Sequence, residues 1–464
     1  MGKNNKNKEK PIKKTSKLFD NGNLLEQGYN RKEDKTYYIR WDFENERYEL
    51  QKYLEFEDIK YVPIYDDLLR KNAVILPEKP IDYGTIEDLE INLDSFIECW
   101  LDISEEHRQK VVWYIMMSWI IDNLHTIPYL RALGDYGTGK TRYLDVIGGL
   151  CYKPMFVGGA VRSAPIYRVI DLWRGTAIFD EFTLGKTDET EDIIQILNNG
   201  YQRGKPVLRC KDGNYDEVLA FDPFGAKILA TKKEFYDKAL ESRCITEVLK
   251  TTPRENMPID LTETFFKNRR ELQNKLLMFR FRNIKEMVWD ESIKIDFGRV
   301  LPRVKQALAP FTILFQYDQE RLKSFAKYVG EYNRKLVEDN LSSFDGQIVN
   351  AYFQLLENHN EEQQYLDDYN TPYISASDIK NYLVDDGWKA DKINTRTIGR
   401  HMKSLGFDSK VTRLGKKTKK TLSVDERTEK MLRMKYDVTN VTNVTVHGDE
   451  VTNNSIYNYK EKET

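Results

Sequence analysis

Apolar and polar positions are arranged in several different ways along this chain, and each arrangement predicts a different kind of element. Residues 36–76 carry short aromatic or β-branched runs (37–41, 47–50 and 59–62) broken by polar turns, which predicts strands. Residues 94–124 predict two helices. The second is capped by Ser104 and carries an apolar face through Val112, Ile115, Met116, Trp119 and Ile120. Between 127 and 250, short apolar runs alternate with helical stretches, the pattern of βαβ units around a parallel sheet. Residues 254–345 read as helical and charged, and residues 346–436 as helices followed by a hairpin.

Composition changes this picture little. Hydrophobic residues make up 40% of the 464, with 28 Tyr and 21 Phe, enough to build sizeable cores and to exclude wholesale disorder. The longest strongly apolar run, 111–121, is too short to span a bilayer. No apolar stretch of signal-peptide type follows the polar start, so a cytoplasmic protein without a membrane partner is expected. Four scattered cysteines and five scattered histidines give neither disulfide spacing nor zinc spacing.

Charge is more informative. The net value of -2 hides seven Lys against one Glu in residues 1–17 and sixteen Lys or Arg against eight acids in 372–435. Basic ends around an acidic body predict local contacts with a polyanion. The first tail reads equally well as a disordered, solubilising arm.

The sharpest chemistry lies in Gly134-Asp135-Tyr136-Gly137-Thr138-Gly139-Lys140-Thr141, which matches GxxxxGK[ST] and follows the apolar run 127–133. Gly134, Gly137 and Gly139 let backbone N–H groups curl around a phosphate, Lys140 neutralises its charge, and Thr141 offers a hydroxyl to Mg²⁺. A helix over 140–150 would point its positive end at the same phosphates. Forty residues on, Thr176-Ala177-Ile178-Phe179-Asp180-Glu181 reads as a buried strand ending in two acids. Asp180 would hold Mg²⁺ through water, and Glu181 would activate the attacking water. The apolar run 226–231 ends in Thr231, which would position that water. Taken alone, Thr231 is an ordinary strand-end residue. ATP and Mg²⁺ are thus the expected cofactors.

The order of Gly-rich loop, hydrophobic-Asp-Glu, strand with polar end and Leu240-Glu241-Ser242-Arg243 resembles AAA+ ATPases. Within them it resembles the MCM-like replicative helicases of archaea, phages and mobile genetic elements, over about residues 127–310. The resemblance implies an α/β fold, an AAA+ P-loop core with a helical lid, a small β-rich N-terminal domain and a C-terminal winged helix. Laid on the sequence, these are a basic disordered tail at 1–17, the β-rich domain at 18–93 and a helical linker at 94–126. The ATPase core follows at 127–252, the lid at 253–345, the winged helix at 346–436 and a polar tail at 437–464. Residues 18–93 match nothing in the family. Arg243 corresponds to the family's arginine finger, which enters a neighbouring subunit's site; a guanidinium can neutralise charge on a transferring phosphoryl group. Arg303, in Leu301-Pro302-Arg303, fits the lid arginine termed sensor 2, with Arg299 as its competitor.

Two segments read as DNA contacts. Strand-like runs flank Asp212-Gly213, a hairpin turn signal. In the resembled helicases, a hairpin here enters the central pore and grips single-stranded DNA, and Lys211 is the matching cation. In the C-terminal block, Ile398, Met402 and Leu405 fall at helical spacing and leave Arg396, Arg400 and Lys403 outside. Lys416 and Lys417 sit in the turn of a basic two-stranded wing. Recognition helix and wing together could hold duplex DNA, although a wing used only for protein contacts is the alternative.

The leading expectation is a ring-forming ATP-driven DNA helicase or translocase, a homo-hexamer that replicates a mobile element or virus. No primase signature occurs in 18–126, so priming would need a separate primase. A different class of reading is a replication initiator or DNA-loading switch that binds an origin through its winged helix. A protein-remodelling ATPase would want aromatic pore loops and gives no reason for a basic wing.

Overall fold

In a computed structural model, which describes residues 11–438 apart from 20–22, 159–162, 181–187, 212–213, 253, 291, 294, 363–372, 415–416 and 437, the apolar runs between 127 and 250 become one parallel sheet. Its strands are β1 (Tyr129–Leu133), β2 (Met155–Val157), β3 (Ala177–Phe179), β4 (Lys227–Thr231) and β5 (Cys244–Val248). Their spatial order is β5-β1-β4-β3-β2, every pair parallel. Such a sheet is covered on both faces and demands apolar residues at successive positions. Leu130, Ala132, Ile178, Phe179, Ile228, Leu229 and Ala230 meet that demand, all buried. A buried side chain of the larger kind contributes about 1.5–3 kcal/mol.

Helices cover this sheet with three departures from the pattern reading. A capping box formed by Thr85 and Asp88 starts the first helix at Ile86, ahead of residue 94, so it runs Ile86–Trp100 across the expected 93/94 boundary. The helix Glu105–Trp119 begins where Ser104 predicts, with Ser104 Oγ accepting from His107 N. It is buried continuously from Lys110 to Trp119, and so is a core helix rather than a one-faced surface helix. The helix expected over 140–150 is α-helical only for Lys140–Tyr143 and then widens into a π-helical turn, Leu144–Gly148. Gly148 lies so close to β3 that a Cβ there would come within 2.6 Å of Ile178 Cδ1.

The N-terminal region corrects the sequence reading most. Residues 11–17 are not a free tail. Ile12–Lys13 pairs with Ile59–Val62, and Ser16–Leu18 pairs with Leu24–Asn30. Between them Thr15 is buried and donates to Trp173 O at 3.1 Å. A lysine-rich segment can still add its backbone to a sheet edge, because the ladder uses only main-chain groups. Leu24–Asn30, Lys35–Asp42 and Arg47–Gln51 continue the four-stranded antiparallel sheet. Glu26 on it reaches the parallel-sheet region, forming ion pairs with Lys153 Nζ at 3.0 Å and Arg280 Nε at 2.7 Å, and Arg280 also meets Asp122 at 2.6 Å. Burial alone would push the Glu26 carboxyl up, but the two cations hold it below the ordinary carboxylate value.

The chain divides into two compact units between Val329 and Gly330, inside the helix Gln319–Ser342 rather than at 345/346. In the second unit, helices Phe344–Glu362, Ala376–Asp385, Thr395–Ser404 and Glu426–Tyr436 and the hairpin Asp408–Leu414 with Lys417–Ser423 share one core, with Ile348, Phe353, Ile379, Leu383, Ile398 and Met402 at its centre. Among the described residues, no helix is long and apolar enough to cross a membrane.

Candidate nucleotide site and nucleic-acid interfaces

The loop that follows β1 emerges at the C-terminal edge of the sheet, where parallel strands leave a crevice for ligands. Gly137 and Gly139 have φ of +74° and +86°, values that glycine adopts without strain, and a Cβ at either would point into open space. Lys140 folds back under the loop, its Nζ donating to Asp135 O at 2.5 Å. Thr141 Oγ1 donates to Asp180 Oδ2 at 3.1 Å, so the loop and the end of β3 meet through those side chains. The remaining oxygen, Asp180 Oδ1, is buried without a hydrogen-bond partner, as is Thr231 Oγ1. Thr231 ends β4 directly beside Leu133, and its carbonyl accepts from Gly134 N at 3.1 Å.

A cavity of about 440 Å³ opens here, lined by the loop, Thr141, Asp180, Asp102, Thr252 and Met257 among others. The donor set suits a nucleotide with a hard divalent cation: glycine-spaced backbone, a lysine, a hydroxyl and a carboxylate oxygen left unpaired. Buried unpaired oxygens are rare and costly, which makes Asp180 Oδ1 the sharpest mark of the site. Asp145, on the π-helical turn, was not marked by the sequence reading. Burial raises its carboxyl, with Arg269 opposing the rise and Asp180 adding to it. No spacing rule singles it out.

Arg243 lies at the other end of the sheet. It precedes β5, whose register sets Cys244 against Tyr129 and Val248 against Leu133. Arg243 is therefore about six residue steps, roughly 20 Å, from Gly134 along the strands. Its guanidinium donates to Asn198 Oδ1 and lies 5.4 Å from the Tyr201 ring centre. The turn carrying it is fixed by a bidentate pair between Arg131 on β1 and Glu241. No local pattern marks Asn198, Tyr201 and Arg131, since their pairing to the Arg243 segment is long-range. Arg303 is exposed, donates to Gln306 Oε1 at 3.0 Å, and stands by Tyr201 as well. Burial pushes the Tyr201 hydroxyl up, while Arg243 and Arg303 beside it pull it down. The two arginines thus share one edge, away from their own P-loop.

The hairpin forms as predicted from its flanking runs, Val207–Lys211 against Asn214–Phe221, with a bulge at Cys210/Lys211. Lys211 is at its end but is not a free cation, because Nζ pairs with Glu217 Oε2 at 2.7 Å. In the second unit, Arg396, Arg400 and Lys403 are exposed on the helix Thr395–Ser404, while Ile398 and Met402 are buried. With Lys419 and Lys420 of the hairpin they line a cavity of about 540 Å³. Lys419 is neutralised by Asp378 at 2.7 Å. The Glu181 and Lys416 assignments and the Asp212-Gly213 turn lie outside the described residues, and Lys417 is placed by its backbone pairing with Leu414.

No protein-family model matches the chain, and no curated protein matches it. Solved structures resemble it weakly. The NrS-1 C terminal region is 12% identical with a TM-score of 0.36, covering 86% of this chain and 97% of that one. SCCmec type IV Cch, described as an active helicase, is 10% identical with a TM-score of 0.35, covering 91% and 80%. The JCV helicase is 14% identical with a TM-score of 0.25, covering 53% and 66%. All three lie below a TM-score of 0.5, so any function assigned to this chain rests on its own site residues.

Proposed function

We propose that this protein is an ATP-driven DNA helicase or translocase of the AAA+ class that works as a homo-oligomeric ring, a hexamer, in replicating a mobile element or virus. The observation that carries the reading is the contact between Thr141 and Asp180, with Asp180 Oδ1 left buried and unpaired beside the glycine loop. When bound, ATP–Mg²⁺ supplies the phosphoryl group and a cation that neutralises charge on it. Lys140 and the loop amides hold the phosphates, Thr141 and Asp180 hold the cation, and Thr231 orients the water that Glu181 deprotonates. Glu181, outside the described residues, takes this role from its place after Asp180.

Arg243 cannot reach its own P-loop across about 20 Å of strand, and so it acts on a neighbour's nucleotide. Arg303, which shares Tyr201 with it, acts from the same side; Arg299 remains its competitor for the lid role. Lys211 is the pore contact to single-stranded DNA, released from Glu217 when a phosphate replaces that carboxylate. Arg396, Arg400, Lys403, Lys416 and Lys417 hold duplex DNA on a winged helix. A separate primase would complete the system.

The pairing of Lys211 with Glu217 favours the second reading, a replication initiator or DNA-loading switch, because a switch needs no pore cation. Measuring DNA-stimulated ATP hydrolysis alongside strand displacement separates the two. A motor displaces strands and is stimulated by DNA. A switch binds duplex and hydrolyses slowly without displacing strands.

A further inference from the structure

Three arginines meet at a small cavity that shares no lining residue with the nucleotide site. Arg31 follows the strand Leu24–Asn30, and Arg269 and Arg270 are neighbours on the helix Glu263–Asn283. The walls are tied in place. Tyr29 N donates to Pro77 O at 3.0 Å, Asn274 Oδ1 accepts from Glu78 N at 2.9 Å, and Gln273 Nε2 donates to Gly149 O at 2.6 Å. Arg269 lies over Phe265 and Phe266, its Cζ 5.4 and 5.2 Å from their centres.

What is missing is an anion. Arg31 Nη2 is buried with no hydrogen-bond partner, and among the described residues none of the three guanidiniums is within ion-pair distance of a carboxylate. Glu78 acts on Arg31, and Asp145 on Arg269, only from further away. Burial and then its neighbour Arg31 push Arg269 down to about 10, with Asp145 opposing the fall only in part, so the cations repel one another with no carboxylate paired to them. Uncompensated buried charge is strongly unfavourable, and guanidinium forks match oxyanions in shape. The cavity measures about 10 Å³, roughly what one water-sized centre needs. A water there would satisfy Arg31 Nη2 and still leave three positive charges.

We propose that Arg31, Arg269 and Arg270 form a second anion site that binds a phosphate group, one oxygen seated against Arg31 Nη2 and the others at the mouth beside Arg270. The site is independent of the P-loop and of the helicase reading. The phosphate is either free inorganic phosphate or that of a nucleotide whose base stays outside, near the exposed ring of Phe266.

The test uses the full chain carrying Lys140→Ala, so that the P-loop contributes little, melted in inorganic phosphate or in chloride at equal ionic strength. Phosphate is expected to raise the melting temperature saturably where chloride does not. Adding Arg270→Gln should weaken the apparent phosphate affinity at least about tenfold. It should also raise the melting temperature in phosphate-free buffer, because one repelling charge is gone. Arg31→Gln serves as the second variant with the same expected loss. A nucleoside 5′-monophosphate that binds more tightly than inorganic phosphate, and loses that binding in Arg270→Gln, assigns the anion to a nucleotide; equal or weaker binding assigns it to free phosphate. A chloride effect equal to that of phosphate, or an undiminished phosphate response in both arginine variants, overturns the proposal.

Discussion

Mixing two inactive variants tests the separation between Arg243 and the P-loop. Arg243→Ala removes a guanidinium that sits about 20 Å along the sheet from its own phosphate loop, so the variant should still bind ATP. Its hydrolysis should fall by about 10³–10⁵, or roughly 4–7 kcal/mol of barrier, the usual contribution of an arginine finger. Lys140→Ala should fail in the complementary way, keeping its arginine and losing its phosphate grip. In a ring with head-to-tail interfaces, a working site needs Lys140 from one subunit and Arg243 from the next. Random assembly of equal amounts places that combination at about one interface in four, whatever the ring size. Steady-state hydrolysis of the mixture should therefore reach about a quarter of the parent rate if sites fire independently, against near zero for either variant alone. Size-exclusion chromatography with light scattering must show that the two variants co-assemble. If they do and the mixture stays as inactive as its components, action in trans is wrong, and Arg243 is a structural partner of Asn198 and Tyr201.

Glu181→Gln should preserve ATP binding and lower turnover by at least about 10², because it removes only the water-activating charge; unchanged single-turnover hydrolysis would rule out that role. Lys211→Ala should leave basal hydrolysis and duplex affinity nearly intact while abolishing strand displacement. Neutralising Arg396, Arg400 and Lys417 should instead flatten the salt dependence of binding, by roughly one unit of log–log slope for each DNA phosphate that no longer meets a cation. Lys227 is buried and donates to carbonyls, and burial pushes it down to about 7 with Asp222 only partly opposing the fall. Since the unfolded chain holds this proton up to an ordinary lysine value, stability should rise between about pH 7 and 8.5, by up to about 2 kcal/mol. Urea midpoints should lose that rise in Lys227→Met; equal slopes in both proteins would show that another group is responsible.

The parts of the site that were legible in the sequence are those whose signal is local. Glycine spacing marks a phosphate loop because backbone geometry requires it, and β3 and β4 announce themselves because a two-sided buried strand must be apolar at successive positions. Asp180 and Thr231 follow as the first polar residues after such runs. The strand Leu24–Asn30 escaped notice because Glu26 and Gln27 interrupt its apolar pattern, and both are buried by partners far away in sequence. Asn198 and Tyr201 likewise carry no mark, being 45 and 42 residues from the arginine they hold. The helix that the pattern places at residue 94 starts at Ile86 instead, because the Thr85–Asp88 capping box fixes its first turn.

Glu26 also decides how far this molecule can be taken apart. It sits on an N-terminal strand, yet the charges it satisfies, Lys153 and Arg280, belong to the parallel-sheet region and to the helix Glu263–Asn283. Removing the first 80 or so residues would take that carboxylate away and open both cations to water, whereas Glu26→Gln would leave them buried with one remaining carboxylate, Asp122, a loss on the order of 3–5 kcal/mol from the ion pairs alone. That approaches the whole net stability of an ordinary domain. The N-terminal sheet is therefore not interchangeable cargo that a truncated or chimeric chain could do without. A shortened chain beginning at residue 81 is expected to unfold at lower urea than the full chain, and Glu26→Gln should lower the midpoint as well, with every other residue still present. Whatever sheet replaces this one in a recombined protein would have to bring a buried acid to the same place.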